Sequence, residues 1–260
     1  MDEILRNLPA GARVLDLGCR SGSFSRDRYP GVNVVGLDRD PLSVPGVRAD
    51  AAALPFADGS FDAIIANHSL EHMDRLSEVL REIGRVVKPE GSLFVSVPDA
   101  STVSDRLYRW VYHGGGHVNP FRSAPALAAE IARATGLPLR ATRVLHTSFL
   151  FLERRHFQPR RPRSLWLVGY GNERLLAWAG YLARRADRVL GTRLSVYGWS
   201  FYFGVTGETV DTRAWPNVCV RCGTGWPAEH LTECVPLRRE PWAGQSFLCP
   251  ECGAWNLFTL

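Results

Sequence analysis

Two C-x-x-C-G pairs lie near the C-terminus, Cys219-Val-Arg-Cys222-Gly223 and Cys249-Pro-Glu-Cys252-Gly253, with 26 residues between them. Each pair closes a tight loop in which two thiolates face one cation, and the glycine that follows permits the turn. Two such loops at this distance fit a tetrahedral structural zinc of the ribbon type. Four thiolates leave no open coordination position, so their expected contribution is folding energy rather than catalysis. Cys19 and Cys234 stand outside the pattern and read as packing or plain thiols.

The other chemistry-bearing set lies near the N-terminus, in Val14 to Ser25, VLDLGCRSGSFS. Asp16 sits at the end of a short apolar run, and Gly18 and Gly22 allow a tight backbone path. The turn is expected to open into a helix, whose N-terminus would add oriented N–H groups beside a small ligand. Asp38 ends the next strand about twenty residues on, where an acidic residue commonly accepts hydrogen bonds from ribose hydroxyls.

These residues need a frame. Arg13–Leu17, Asn33–Leu37, Phe61–Ala66 and Ser92–Val97 read as strands. Leu76 to Val87 places Leu76, Val79, Leu80, Ile83, Val86 and Val87 at helical spacing, and Lys88-Pro89-Glu90-Gly91 turns that helix into the next strand. Alternating strands and helices predict a parallel sheet covered on both faces. Arg39–Val47 holds two prolines and is too short for a crossover helix. Further on, Ala124–Thr135 and Glu173–Leu190 read as helices, and Thr142–Leu152 and Ser195–Val205 as strands.

Taken together, the motifs resemble the class I S-adenosylmethionine-dependent methyltransferases of the small-molecule, ubiquinone-biosynthesis-like group. VLDLGCRSGSFS resembles that family's first motif and VVGLDRD its second-strand acidic motif. RADAAALPFADGSFDAIIANHSLEHM is similar to the segment that cups the adenine and ends the fourth strand. RVVKPEGSLFVSVP resembles the helix–turn–strand that follows. The resemblance is close over Arg13–Val97 and loose over Gly114–Val205. It implies a Rossmann-like, doubly wound, mostly parallel seven-stranded sheet with an antiparallel last strand, here followed by a small zinc ribbon.

The resemblance also implies roles. Gly18 and Gly22 would line the methionine and ribose side of S-adenosylmethionine, and Asp16 would face its amino group. Asp38 would hold the ribose hydroxyls, Asp50 with the Ala51 backbone would read the adenine edge, and Asn67 and His68 would sit beside the methionine moiety. Arg20 departs from the pattern, because the family usually has a small residue there. Its side chain must point away from the ligand, or its backbone must avoid a glycine-only conformation.

Methyl transfer to an atom that is already nucleophilic needs mainly alignment. Hydroxyl or carbon acceptors also need a base. Of His68, His72, His113 and His117, the preferred bases are His117, in GGGHVNPF, and then His68. After the fourth strand the chain reads Asn67-His68-Ser69-Leu70, which lacks the N/D-P-P-[YF] pattern and disfavours methylation of exocyclic base amines.

The net charge of +5 is uneven. From Arg154 to Arg193 ten arginines face Glu173 and Asp187, a local +8 against about −3 elsewhere. This basic insertion (154–193) would contact an anionic membrane surface, a lipid-linked acceptor or RNA. The expected domains are 1–210, the methyltransferase domain, and 211–260, the ribbon, which offers a surface for a protein partner. The acceptor is expected to be small, lipid-linked or sugar-linked. The competing expectations are an RNA or protein methyltransferase and a non-catalytic binding module of the same fold. With no secretion signal or spanning segment in the sequence, a cytoplasmic location is expected, with peripheral contact at the membrane surface.

Overall fold

A computed structural model describes residues 1–152, 172–205, 210–242 and 244–260. The Pro/Arg run 154–163 and the stretch from Trp166 to Tyr170 lie outside the described residues. The chain forms two compact units. The first comprises Met1–Asp99, His117–Arg143 and Trp199–Thr212; the second comprises Ala100–Gly116, Val144–Gly198 and Arg213–Leu260. The C-terminal segment is therefore grouped with earlier chain, and a single cut near Val210 does not describe this division.

The first unit opens with α1 (Asp2–Leu5) and is built on a sheet. The strands of this sheet are β1 (Arg13–Leu17), β2 (Asn33–Asp38), β3 (Gly46–Arg48), β4 (Phe61–Asn67), β5 (Val87–Pro98), β6 (Leu139–His146) and β7 (Val196–Gly204), with residues 144–146 of β6 and 196–198 of β7 grouped in the second unit. They are ordered β3-β2-β1-β4-β5-β7-β6. Pairing is parallel from β3 through β5. β7 runs the other way: the Gly204 N–H meets Pro138 O just before β6, and the Val205 N–H meets Gly91 O early in β5. Val14, Leu15, Leu17, Ile64 and Ile65 are all fully buried, which is why these strands read as mainly apolar rather than alternating, with Asp16 and Asp62 as interruptions. Of the helices in this unit, α2 (Leu76–Val86) matches its heptad-like apolar spacing. α3 (Val103–Val111) belongs to the second unit, and α4 (Ala124–Thr135) starts at a Ser123 cap and stops at left-handed Gly136.

Two expectations fail here. No α-helix follows the glycine turn. The fifteen residues between Leu17 and Asn33 hold Gly18, Gly22 and Pro30 and make only one 3₁₀ turn, Arg26–Arg28. No α-helix N-terminus therefore stands at the turn, and its N–H groups at Gly18, Cys19, Arg20, Gly22 and Ser23 are taken by Leu37 O, Asp38 Oδ2, Cys19 O and Asp16 Oδ2. The strand predicted over Thr142–Leu152 ends at His146. Thr147 Oγ1 takes the Phe149 N–H, Phe149 sits at φ +56°, and a 3₁₀ turn (Leu150–Leu152) follows.

In the second unit, α5 (Glu173–Leu190) packs Leu176 and Ala177 with Val111, Tyr112, Leu152 and Val220. The C-terminal segment adds β8 (Asn217–Val218), β9 (Gly225–Trp226), α6 (Ala228–Cys234), and the antiparallel strands β10 (Arg238–Glu240), β11 (Gly244–Leu248) and β12 (Trp255–Leu257). Buried Arg184 of α5 donates to Leu257 O and Thr259 Oγ1. Arg221, between the first two knuckle cysteines, makes a two-pronged pair with Glu173 at 2.8 Å on each prong. Among the described residues, no helix is long and apolar enough to cross a membrane.

Candidate functional site

The strand order reverses between β1 and β4, the point at which sheets of this kind leave a crevice at their C-terminal edge. Asp16 stands there, paired across to Gly36 on one side and Ile65 on the other. Its Oδ2 accepts the Ser23 N–H at 2.9 Å and so holds the glycine turn. Its Oδ1 is buried and has no hydrogen-bond partner among the described residues. Burial raises the Asp16 pKa, against the pull of the Ser23 hydrogen bond. A buried acceptor of this kind fits an incoming N–H or ammonium group.

Gly18 takes φ +71°, and a Cβ on it would lie 2.5 Å from Ser69 Cβ, so the turn after β1 presses directly on the segment after β4. Gly18→Ala combines a left-handed non-glycine residue with overpacking, and is expected to destabilise the protein by about 2–4 kcal/mol. Urea unfolding monitored by circular dichroism measures this. Cys19 is buried and turns its sulfur onto Gly36, a packing role as expected; burial pushes its pKa up to about 11.

Arg20 accepts the glycine conformation, at φ +41°. Its N–H donates to Asp38 Oδ2 at 2.9 Å, and its guanidinium reaches Asp40 at 3.2 Å on the exposed side. Of the two alternatives set by the sequence the backbone one is not taken, since Arg20 follows the turn at positive φ; its side chain instead pairs with an exposed carboxylate. Arg20→Gly trades relief of left-handed strain against greater chain entropy and a weak exposed ion pair. Stability and cofactor affinity are each expected to change by no more than about 1 kcal/mol, read by thermal denaturation and calorimetry.

Asp38 also accepts the Asp40 N–H, on Oδ1. Each carboxylate oxygen retains a second lone pair for ribose hydroxyls. Asp50 lies just beyond β3. It takes the Ala52 N–H at 2.9 Å and pairs with Arg75, and these contacts hold its pKa down. Ala51 sits in the turn between them. The Arg75 partner was not foreseen from sequence, since it comes from the approach to α2.

Asn67 ends β4 and takes the Ser96 hydroxyl at 2.6 Å. His68 follows at φ +52°, its N–H bonded to Ser96 O and Oγ. Its pKa is pushed down to about 4, by desolvation first and then by His117 and His72. His72 and His117 meet edge to face, with ring centroids 4.9 Å apart. Buried Glu71 joins them; it lay within the SLEHM segment but carried no signal of its own in the sequence.

In the second unit the sulfurs of Cys219, Cys222, Cys249 and Cys252 all lie within 4.8 Å of one another. Cys219–Cys252 is 3.5 Å and Cys222–Cys249 is 3.7 Å. Zinc–sulfur bonds of 2.3 Å in a tetrahedron require an edge of about 3.8 Å. The two knuckles are built alike. The Gly223 N–H returns to Cys219 O and the Gly253 N–H to Cys249 O, with both glycines at positive φ. The Arg221 N–H and Asn256 Nδ2 point at Cys219 Sγ, the donors a thiolate ligand attracts.

Residues 1–142 match the profile of a family described as Methyltransferase domain. The chain belongs to that family. Relatives of this chain include a malonyl-[acyl-carrier protein] O-methyltransferase of Legionella pneumophila, 32% identical over 129 residues (43% of this chain and 45% of that protein). Another is a demethylmenaquinone methyltransferase of Mycolicibacterium vanbaalenii, 34% identical over 134 residues (50% and 54%). The chain thus spans about half the length of these curated relatives. Among solved structures, a chain from an antibiotic biosynthesis pathway of Anabaena variabilis superposes with a TM-score of 0.50 at 16% identity, covering 76% of this chain and 92% of that one. The structural likeness supports the Rossmann-like methyltransferase fold.

Proposed function

We propose that the chain is an S-adenosylmethionine-dependent methyltransferase acting on a small, lipid-linked or sugar-linked acceptor. The observation that carries this reading is the buried, unpartnered Asp16 Oδ1 at the strand-order reversal, inside a segment that matches the methyltransferase family. When bound, the cofactor supplies an activated methyl group on a sulfonium. The chain's residues would do the rest. Asp16 would take the amino group, and the turn from Gly18 to Gly22 would lie along the methionine and ribose side. Asp38 would hold the ribose hydroxyls, and Asp50 with Ala51 the adenine edge.

Asn67 and His68 would sit beside the methionine moiety, with His117 and His68 the candidate bases toward the acceptor. His68, its pKa pushed down to about 4 by burial, is a weak base, and His117 is the preferred candidate from the sequence. Arg20 no longer favours a non-catalytic module, because it accommodates the turn with its side chain on a surface partner.

The four cysteines, we infer, hold one structural zinc, and the ribbon around it offers the protein-binding surface. A lipid-linked acceptor at an anionic membrane surface draws support from α5. Its Leu175, Leu182 and Val189 recur every seven residues and stay 43, 58 and 72% exposed, beside Arg185 and Arg188.

Transfer of label from methyl-labelled S-adenosylmethionine into fractionated extracts tests the acceptor class. Label in lipid or small-molecule fractions supports the proposal. Label in RNA or protein supports the macromolecular alternative. Cofactor binding with no labelled fraction supports the binding module.

A further inference from the structure

Glu71, His72 and His117 form a second donor cluster that the methyl-transfer reading does not use as a unit. One ligand atom from each lies within 4.8 Å of the other two. The arrangement does not depend on the side chains alone. The Val118 and Asn119 N–H groups both bond to Glu71 O, at 2.8 and 3.1 Å. Asn119 Nδ2 then reaches Leu70 O and Met73 O, each at 2.8 Å. His117 is thus tied by main-chain and amide bonds to the turn that carries Glu71 and His72.

Two imidazoles and one carboxylate are a borderline donor set, the kind that takes zinc and the divalent iron-to-nickel ions rather than calcium or magnesium. Glu71 is 1% exposed, and a buried carboxylate is stabilised by a cation held against it. Three protein ligands leave positions open for water or a substrate oxygen, unlike the closed four-cysteine set.

We propose that Glu71, His72 and His117 bind a divalent transition-metal ion of the zinc class. The site lies immediately after β4, where the acceptor is expected. A metal there would bind an acceptor oxygen and lower its pKa, so that His117 would act as a ligand rather than as a free base. That consequence rests on the methyl-transfer reading, but metal uptake itself does not. Uptake can fail while S-adenosylmethionine binding stands, and the reverse.

The test is a titration of the full chain with Co2+, followed by absorption spectroscopy and metal analysis. Wild type is expected to take up about two ions per chain. One should show the intense thiolate charge-transfer absorption of the cysteine site. The other should show only weak d–d bands. His117→Ala and, separately, His72→Ala should lose the second ion and keep the thiolate signal, which also reports that the variant is folded. A single ion in wild type, or a second ion insensitive to both substitutions, would overturn the proposal.

Discussion

Removing the metal from Cys219, Cys222, Cys249 and Cys252 is expected to unfold the C-terminal segment and to loosen α5 with it. The small sheet β10-β11-β12 and the hairpin β8-β9 surround a thin core of Leu231, Phe247 and Phe258. A core of that size cannot offset the chain entropy of the segment, so the metal must supply the difference. Structural zinc contributes on the order of 10 kcal/mol or more to the folding of such modules.

The effect should not stop at the knuckles. Arg221 holds Glu173 in the first turn of α5, and Val220 belongs to the same apolar cluster as Leu176 and Ala177. Cys249→Ser, or a strong chelator, should therefore expose α5 to limited proteolysis as well as the residues after Arg213. Metal analysis should find that Cys249→Ser holds about one zinc per chain fewer than wild type. A metal-free chain with unchanged near-ultraviolet circular dichroism would remove the ribbon from the account.

The second large effect concerns Asp16, where stability and function are expected to oppose each other. Burial raises the Asp16 pKa, so its ionised form weakens the free protein. The penalty is full above the folded-state pKa, shrinks as the pH falls through it and is gone below the lower unfolded-state value. Asp16→Asn removes the charge while keeping an acceptor for the Ser23 N–H. Its melting temperature should equal or exceed that of wild type at neutral pH. Its affinity for S-adenosylmethionine should fall by about 10- to 100-fold, the worth of one charge-assisted hydrogen bond. A loss of affinity together with a lower melting temperature would mean that Asp16 serves the turn rather than the ligand.

Much of this was legible in the sequence where local signals and packing agree. α5 and α4 have the predicted bounds because a cap, an apolar period and a left-handed glycine coincide at their ends. β1 and β4 were legible because strands buried on both faces are near-continuous apolar runs, here interrupted by Asp16 and Asp62. The glycine turn departs from the sequence expectation in one respect. Its glycines and serines suit a turn before a helix, but the chain from Gly18 to β2 makes only the 3₁₀ turn Arg26–Arg28 before Pro30.

Partners supplied from a distance were not legible at all. Arg75 on Asp50, Ser96 under Asn67 and His68, and the Asn119 clasp on residues 70–73 all join segments more than twenty residues apart. Glu71 was hidden for the same reason. Its significance comes from His117, which the fold returns to it.

On the proposed reading, the crevice between β1, β2 and β4 binds S-adenosylmethionine. Isothermal calorimetry with S-adenosylmethionine, set beside NAD as a control and repeated on Asp38→Ala, measures this directly. The expected result is saturable binding of about one molecule per wild-type chain, no heat with NAD, and binding abolished or severely weakened in Asp38→Ala. No binding to wild type, or an Asp38→Ala isotherm superimposable on that of wild type, would contradict it.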